Sequence, residues 1–162
     1  MATFRAEVEL QGDVFNGAKR NEALRKAYKK HLLASGLLFQ GAVEPNTPFG
    51  VTGALRRAWK TQMEGDSSVV VSNSMEYGII VEEGRQPGKG IPIEPLELWV
   101  KRVIGLTEEA DITSMAINIS RKAKARGIPG KFFVADTFDA VRPKLDAELG
   151  KIGGLIVREL ER

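Results

Sequence analysis

The sequence predicts an α+β fold, in which a small antiparallel sheet packs against a long N-terminal helix and a long C-terminal helix. Three observations predict it: helical spacing of apolar residues near each end of the chain, an alternating segment at the N-terminus, and a β-branched segment in the middle. Of the 162 residues, 43% are apolar, which suffices for one core of ordinary size. We therefore expect residues 1–162 to form a single domain.

The N-terminal part is predicted to form a strand and then a helix. Residues 4–10 alternate apolar and charged side chains, which is the period of a half-buried strand. From about residue 14 to residue 41 apolar residues recur at helical spacing, and Pro45 and Pro48 follow as stop signals. The predicted apolar face contains Leu24, Tyr28, His31, Leu32 and Leu38.

The middle of the chain is predicted to contain a hairpin and an exposed loop. Residues 67–73 are rich in β-branched side chains, and Gly65 precedes them, which favours a hairpin turn at that glycine. Residues 54–63 fit a strand or a helix, and residues 75–83 fit a short helix or a further strand. Residues 84–92 contain three glycines and two prolines, a composition typical of an exposed loop.

Helical patterning resumes after this loop and continues nearly to the end. Helices are predicted over residues 95–104 and 108–126, and the Gly-Ile-Pro-Gly sequence of residues 127–130 ends the second. The last helix is predicted over residues 135–161. Its long apolar stripe consists of Phe138, Val141, Leu145, Leu149, Ile152 and Ile156.

The residue inventory argues against catalysis and against a cofactor. The chain has no cysteine, which excludes thiolate nucleophiles and thiolate metal sites. Its only histidine, His31, shares the apolar face of the first helix, where packing is the simpler interpretation. A zinc site would have only carboxylates to add to this one histidine. We expect no catalytic residue, no metal and no cofactor.

The glycine-rich segment over residues 84–90 differs from a phosphate-binding loop. Such a loop cradles phosphates with backbone amides and a lysine, and its serine or threonine holds magnesium. Here the glycine spacing is one residue short, and Gly90 stands where the hydroxyl is needed. We expect a flexible arm rather than a nucleotide site.

The first predicted helix carries a basic stripe, on which Lys19, Lys26 and Lys30 project together. This stripe is interpreted as a solvated helix face, a phosphate-tracking surface or a surface for an acidic partner. The net charge is only +3, so the composition permits a polyanion partner without requiring one. No apolar run is long enough for a signal peptide or a membrane span, and we expect folding in a reducing cytoplasm with no membrane partner.

Three segments of the sequence follow one another in an order that is typical of one family. Residues 51–58 read VTGALRRA, residues 69–73 read VVVSN and lead to YGIIVEEG at residues 77–84, and residues 127–133 read GIPGKFF before the last helix. Together they resemble the neck, head-tail joining or tail-completion proteins of tailed bacteriophages and prophages. Ala58 stands where the family usually has serine, and Gly78 where it usually has alanine. Between Gly84 and Gly127 this sequence has a longer loop and an extra helix.

The resemblance implies a non-enzymatic virion structural protein, made in the host bacterial cytoplasm. It implies a ring, by resemblance a hexamer, around the DNA channel of the neck or tail, which joins or stabilises head and tail. Its implied partners are further copies of itself, a head-closure or adaptor protein, and a tail terminator or tail tube protein. This role is compatible with non-specific contact with DNA in the channel. The resemblance leaves open whether the protein is a neck protein or the tail terminator itself.

The root of the glycine-rich loop is the expected assembly or partner contact. The residues expected there are Tyr77, Ile79, Val81, Glu82, Arg85 and Lys89. Glu82 is interpreted either as a buried or interfacial acceptor or as an exposed carboxylate at a helix end. The alternative function is a basic nucleic-acid-binding module that uses the first helix, and it predicts a steep salt dependence of DNA affinity.

Overall fold

The fold is described by a computed structural model that covers the backbone of residues 4–9 and 22–160 and the side chains of residues 25–158. Strands β1 (Phe4–Glu9), β2 (Trp59–Glu64) and β3 (Ser68–Asn73) form an antiparallel sheet in the order β1-β3-β2. The long helix α1 (Glu22–Asn46) lies between β1 and β2 in sequence, and the long helix α6 (Phe133–Leu160) follows all three strands. The predicted α+β fold, with a small sheet and two long helices, is confirmed.

Helix α1 connects the two other large elements, because it packs against β2 and β3 and also along α6. One apolar cluster joins Phe39 and Val43 of α1 to Trp59, Val71 and Leu145. A second joins Tyr28 and Leu32 to Val69 and Ile152. The predicted apolar stripe of the last helix is therefore covered mainly by α1 and the central strand, except that Phe138 remains 39% exposed.

The predicted end of the first helix at residue 41 is wrong, since α1 continues to Asn46 with Pro45 in its last turn. Thr47 closes the helix: its N–H donates to the Val43 carbonyl at 2.9 Å, and its hydroxyl donates to the same oxygen at 2.7 Å. These bonds satisfy a carbonyl that the helix end would leave without a partner. The predicted start near residue 14 lies outside the described residues.

The two segments that the sequence left open now have definite structures. Residues 54–63 contain both, a short helix α2 (Ala54–Arg57) followed by β2, and residues 75–83 contain helix α3 (Gly78–Glu83). The predicted hairpin is confirmed as β2 and β3, with Gly65 at φ 65° after β2.

Residues 93–126 form a hairpin of two helices. From here on, "the hairpin" means this helical hairpin, and the paired strands are written as the hairpin β2–β3. The hairpin consists of α4 (Ile93–Trp99), one π-helical turn (Val100–Ile104) and α5 (Glu109–Arg126). At its base, the two-residue strands β4 (Gly84–Arg85) and β5 (Ile128–Pro129) pair with each other. Neither apolar cluster contains a residue of the hairpin. The hairpin therefore packs largely on itself, through Leu96, Val100, Ile112 and Ala116.

Candidate functional site

The three segments that carry the family resemblance meet around one apolar groove, which we call the central groove. It has a volume of about 640 Å³. Val51 and Leu55 come from the first segment, Tyr77 and Val81 from the second, and Ile128 from the third. The rest of the lining comes from the preceding loop and from the hairpin, including Phe49, Ile91, Leu96 and Trp99.

One wall of the central groove is the loop between α1 and α2, and Thr47 holds it in place. Arg56 donates from Nε and from its terminal nitrogen to the Thr47 carbonyl, at 3.0 and 2.8 Å, and its guanidinium lies 5.5 Å from the centre of the Phe49 ring. Gly53 precedes α2 with φ 68°, a left-handed conformation that favours glycine. The Thr-Gly turn of the sequence therefore serves to present Phe49, whose side chain is 53% exposed.

Glu82 has a structural role that joins the second segment to the third. Its side chain is only 6% exposed, and its two carboxylate oxygens accept the N–H groups of Val134 and Ala135 at 2.9 and 3.0 Å. Those amides are the first unpaired donors of α6, where a carboxylate also interacts favourably with the helix dipole. Glu82 is thus the buried acceptor of the two alternatives, and the exposed helix-end interpretation is wrong.

Backbone contacts extend this junction. The Lys131 N–H donates to the Val81 carbonyl, and the Phe132 N–H donates to the Glu82 carbonyl, at 2.9 and 3.0 Å. Gly84 has φ 83°, and a Cβ at this position would lie 2.3 Å from the Ile128 carbonyl oxygen. Only glycine allows this approach of β4 to β5. The glutamate and the glycine before the loop are therefore explained by this junction, where the end of the second segment contacts the start of α6 and passes close to β5.

Only part of the predicted exposed loop, residues 84–92, is exposed. Residues 86–89 are exposed, whereas Gly84 and Arg85 form β4, and Gly90 and Ile91 are half-buried. The Gly88 N–H donates to the Lys124 carbonyl at 2.9 Å, and the Ser120 hydroxyl donates to the Ile91 carbonyl at 2.7 Å. The loop therefore lies against α5 and is shorter than predicted.

The six residues predicted as an assembly contact are only partly brought together. Tyr77, Val81 and Arg85 line the central groove. Ile79 is half-buried outside that lining, and Lys89 is exposed on the loop. Glu82 is buried against the start of α6, outside that lining, and its part in an assembly contact stays a prediction. The sequence pattern did not single out Phe49, Ile80 and Trp99 of the same groove, because an apolar residue in a helical pattern gives no sign of being left uncovered.

A second apolar groove, the hairpin groove, adjoins the central groove and shares with it the lining residues Ile91, Leu96, Trp99 and Ile128. It has a volume of about 610 Å³ and also includes Ile119 of α5. Lys122 and Arg126 are the only charged residues in its lining among those that the structure describes. Adjoining apolar grooves of this size on a protein surface mark interaction sites.

The basic stripe of the first helix is less free than the sequence indicated. Lys19 lies outside the described residues, and Lys26 and Lys30 are exposed on α1. The neighbouring Arg25 and Lys29 both form ion pairs with Asp66, at the turn of the hairpin β2–β3. The positive charge of this face is therefore partly neutralised within the chain.

His31 is half-buried and joins α1 to α6. Its Nδ1 lies 2.7 Å from Oε1 of Glu148, and Lys151 pairs with the other oxygen of the same carboxylate. The hydrogen bond with His31, followed by that with Lys151, holds the pKa of Glu148 below its ordinary value. The packed position expected for His31 is accounted for by this interhelical contact.

Among the described residues, no group of three or more His, Asp or Glu side chains is arranged to hold a metal ion. No helix within the described ranges is both long and apolar enough to cross a membrane. No protein-family model, curated protein or solved structure matches the chain.

Proposed function

We propose that the protein is a non-enzymatic structural component of a tailed-phage particle, which forms a ring at the head–tail junction. The observation that carries this proposal is the convergence of the three family-like segments on the central groove. Segments far apart in the sequence share one surface there, and that surface is apolar. Such an arrangement fits a contact between proteins better than three separate structural turns.

The chemistry of the central groove supports a contact rather than a reaction. Among the described residues, Tyr77 and Arg85 are the only titratable ones in its lining, and that lining contains no acid. Acid–base or nucleophilic catalysis requires a base within hydrogen-bond reach of its partner, and the described lining offers no such pair. Exposed Phe49, Tyr77 and Ile80 instead offer the aromatic and aliphatic anchors typical of protein interfaces.

The proposal is tested by replacing Ile80 with Asp in the phage or prophage that encodes the chain. Ile80 lines the central groove and is 37% exposed, so the monomer should tolerate the change. An unpaired carboxylate buried in a protein contact costs about 3 kcal/mol, which is roughly a 100-fold loss of affinity. We expect a folded protein, by circular dichroism, and separate heads and tails in electron micrographs.

The matched control is Leu37→Asp, which changes an equally apolar and more exposed residue of α1 outside both grooves. This variant should yield joined, infectious particles. Normal particle yields from Ile80→Asp, or absence of the chain from purified particles, would contradict the proposed function.

A further inference from the structure

The hairpin is polarised in charge from its tip to its root. At the tip, the acids Glu108, Glu109 and Asp111 are exposed at the start of α5, together with Lys101 and Arg102 of the π-helical turn. At the root, cations outnumber the acids, of which Glu83 and Glu94 are exposed. The root cations are Arg85, Lys89, Arg121, Lys122, Lys124 and Arg126.

The nearest acids along the chain, Glu83 and Glu94, flank the loop that carries Arg85 and Lys89. No Asp or Glu occurs between residues 112 and 135, or between residues 84 and 93. Within the described part of the chain, none of the root cations forms an ion pair. Helix-dipole stabilisation accounts for cations at the end of α5, but it does not account for Arg85 and Lys89, which lie on the strand and loop before the hairpin.

Apolar surface is polarised in the same way. The tip exposes Val103 and Ile104, at 49% and 44%, on a turn that projects from the hairpin. At about 1.5 Å per residue, Ile104 stands about 16 Å from the start of α4. The root holds the apolar hairpin groove, with Trp99 and Ile119 in its lining and Lys122 and Arg126 as its charges. One end is therefore an apolar projection with three acids and two cations, and the other is an apolar groove whose described lining carries only positive charges.

We infer that the hairpin tip of one copy docks into the hairpin groove of a second copy. Val103 and Ile104 would enter the groove, while Glu108, Glu109 and Asp111 meet Lys122, Arg126 and the neighbouring root cations. The occupant is a second copy of this chain because the chain itself supplies the complement in both charge and apolar surface. The contact is head-to-tail, so its repetition closes into a ring when the rotation between copies permits.

This inference rests on the proposed function, because a ring needs two different complementary surfaces on every copy. It assigns those surfaces to the hairpin, the part of the chain that neither apolar cluster includes. The hairpin packs largely on itself, so its grooves and tip are available without opening the core. Charge complementarity between the two ends also orients approaching copies.

The test uses full-length protein in which Val103 is replaced by the photo-crosslinking residue p-benzoylphenylalanine. Isotope-labelled and unlabelled copies are mixed, concentrated and irradiated, and the same variant is irradiated in assembled particles. We expect cross-links between copies that map to peptides containing Trp99, Ile119 or Ile128. Absence of such products in both samples, or their mapping to another surface, would overturn the inference.

Charge reversal separates docking from folding. The double variant Lys122→Glu, Arg126→Glu should lose the cross-link to Val103 of unaltered copies, and Arg142→Glu, Lys144→Glu on α6 should retain it with the same change in charge. The cross-linked product should reappear when the first variant is mixed with probe-carrying copies that have the changes Glu108→Lys, Glu109→Lys and Asp111→Lys. A cross-link unaffected by reversal, or not restored by the exchange, contradicts the proposed contact.

A second probe at Ile119, a half-buried lining residue of the hairpin groove, identifies other occupants in producing cells. Capture of duplex DNA or of a different protein, with no self-product, overturns the inference. If charge-reversed copies still join heads to tails, the hairpin contact is wrong while the proposed function stands. If the chain is absent from particles but the cross-link is present, the hairpin contact stands while the proposed function is wrong.

Discussion

The contact between Glu82 and the start of α6 gives a quantitative prediction about stability. Replacing Glu82 with Ala removes a side chain that is 6% exposed and accepts two backbone N–H groups. Val134 is half-buried, so its N–H would be left without a full partner, whereas Ala135 is exposed and its N–H can bond to water. We therefore expect loss of the Val134 hydrogen bond to destabilise the fold strongly and loss of the Ala135 hydrogen bond to destabilise it weakly.

The magnitude follows from these two amides. A buried donor left unsatisfied costs about 1–3 kcal/mol, and loss of a helix cap costs about 0.5–2 kcal/mol. Because both descriptions count the same hydrogen bonds in part, we expect Glu82→Ala to lower the free energy of unfolding by about 3 kcal/mol, and not by the sum of the two upper limits, about 5 kcal/mol. Glu82→Gln keeps one acceptor oxygen but loses the charge that faces the helix dipole, and about half that loss is expected.

Urea denaturation followed by circular dichroism measures both variants, and a thermal melt should show a fall of about 6–12 °C for Glu82→Ala. The matched control is Glu83→Ala, which removes the adjacent exposed carboxylate. This control should change stability by no more than about 0.5 kcal/mol. If Glu82→Ala and Glu83→Ala had equal effects, the assignment of Glu82 as the anchor of α6 would be refuted.

Three other substitutions test the junction, the last helix and the interhelical contact. Gly84→Ala should destabilise the fold by about 3 kcal/mol in urea denaturation, because its Cβ would meet the Ile128 carbonyl oxygen at 2.3 Å with φ at 83°; an unchanged midpoint would refute the close approach. Gly150→Ala in α6 has open space around the new Cβ and should raise stability by up to about 1 kcal/mol, so a lowered melting temperature would indicate a contact on that face. The depressed pKa of Glu148 stabilises the folded state above the unfolded pKa, and this contribution is lost as the pH falls through the folded value. Melting temperatures of the parent and Glu148→Gln should therefore differ near neutral pH and converge below about pH 4.3, and a constant difference across that range would contradict the proposed linkage.

The sequence by itself determined the elements whose patterns are local. Alternation predicted β1, β-branched residues around a glycine predicted the β2–β3 hairpin, and helical spacing predicted the helices at both ends. These predictions succeeded because each pattern records which side of an element faces a core. The boundaries were less certain, since α1 ends through hydrogen bonds made by Thr47 rather than at its prolines.

Tertiary structure alone decided which segments meet and which apolar residues remain uncovered. Glu82 and the amide of Val134 are 52 positions apart, and no local pattern records that a carboxylate will meet a distant helix end. In the same way, Val100 is fully buried while Val103, three residues later, is half exposed. Their difference depends on where α5 packs. The candidate contact surfaces form where distant segments meet and where apolar residues remain exposed. Both depend on the whole fold and not on the sequence of any one segment.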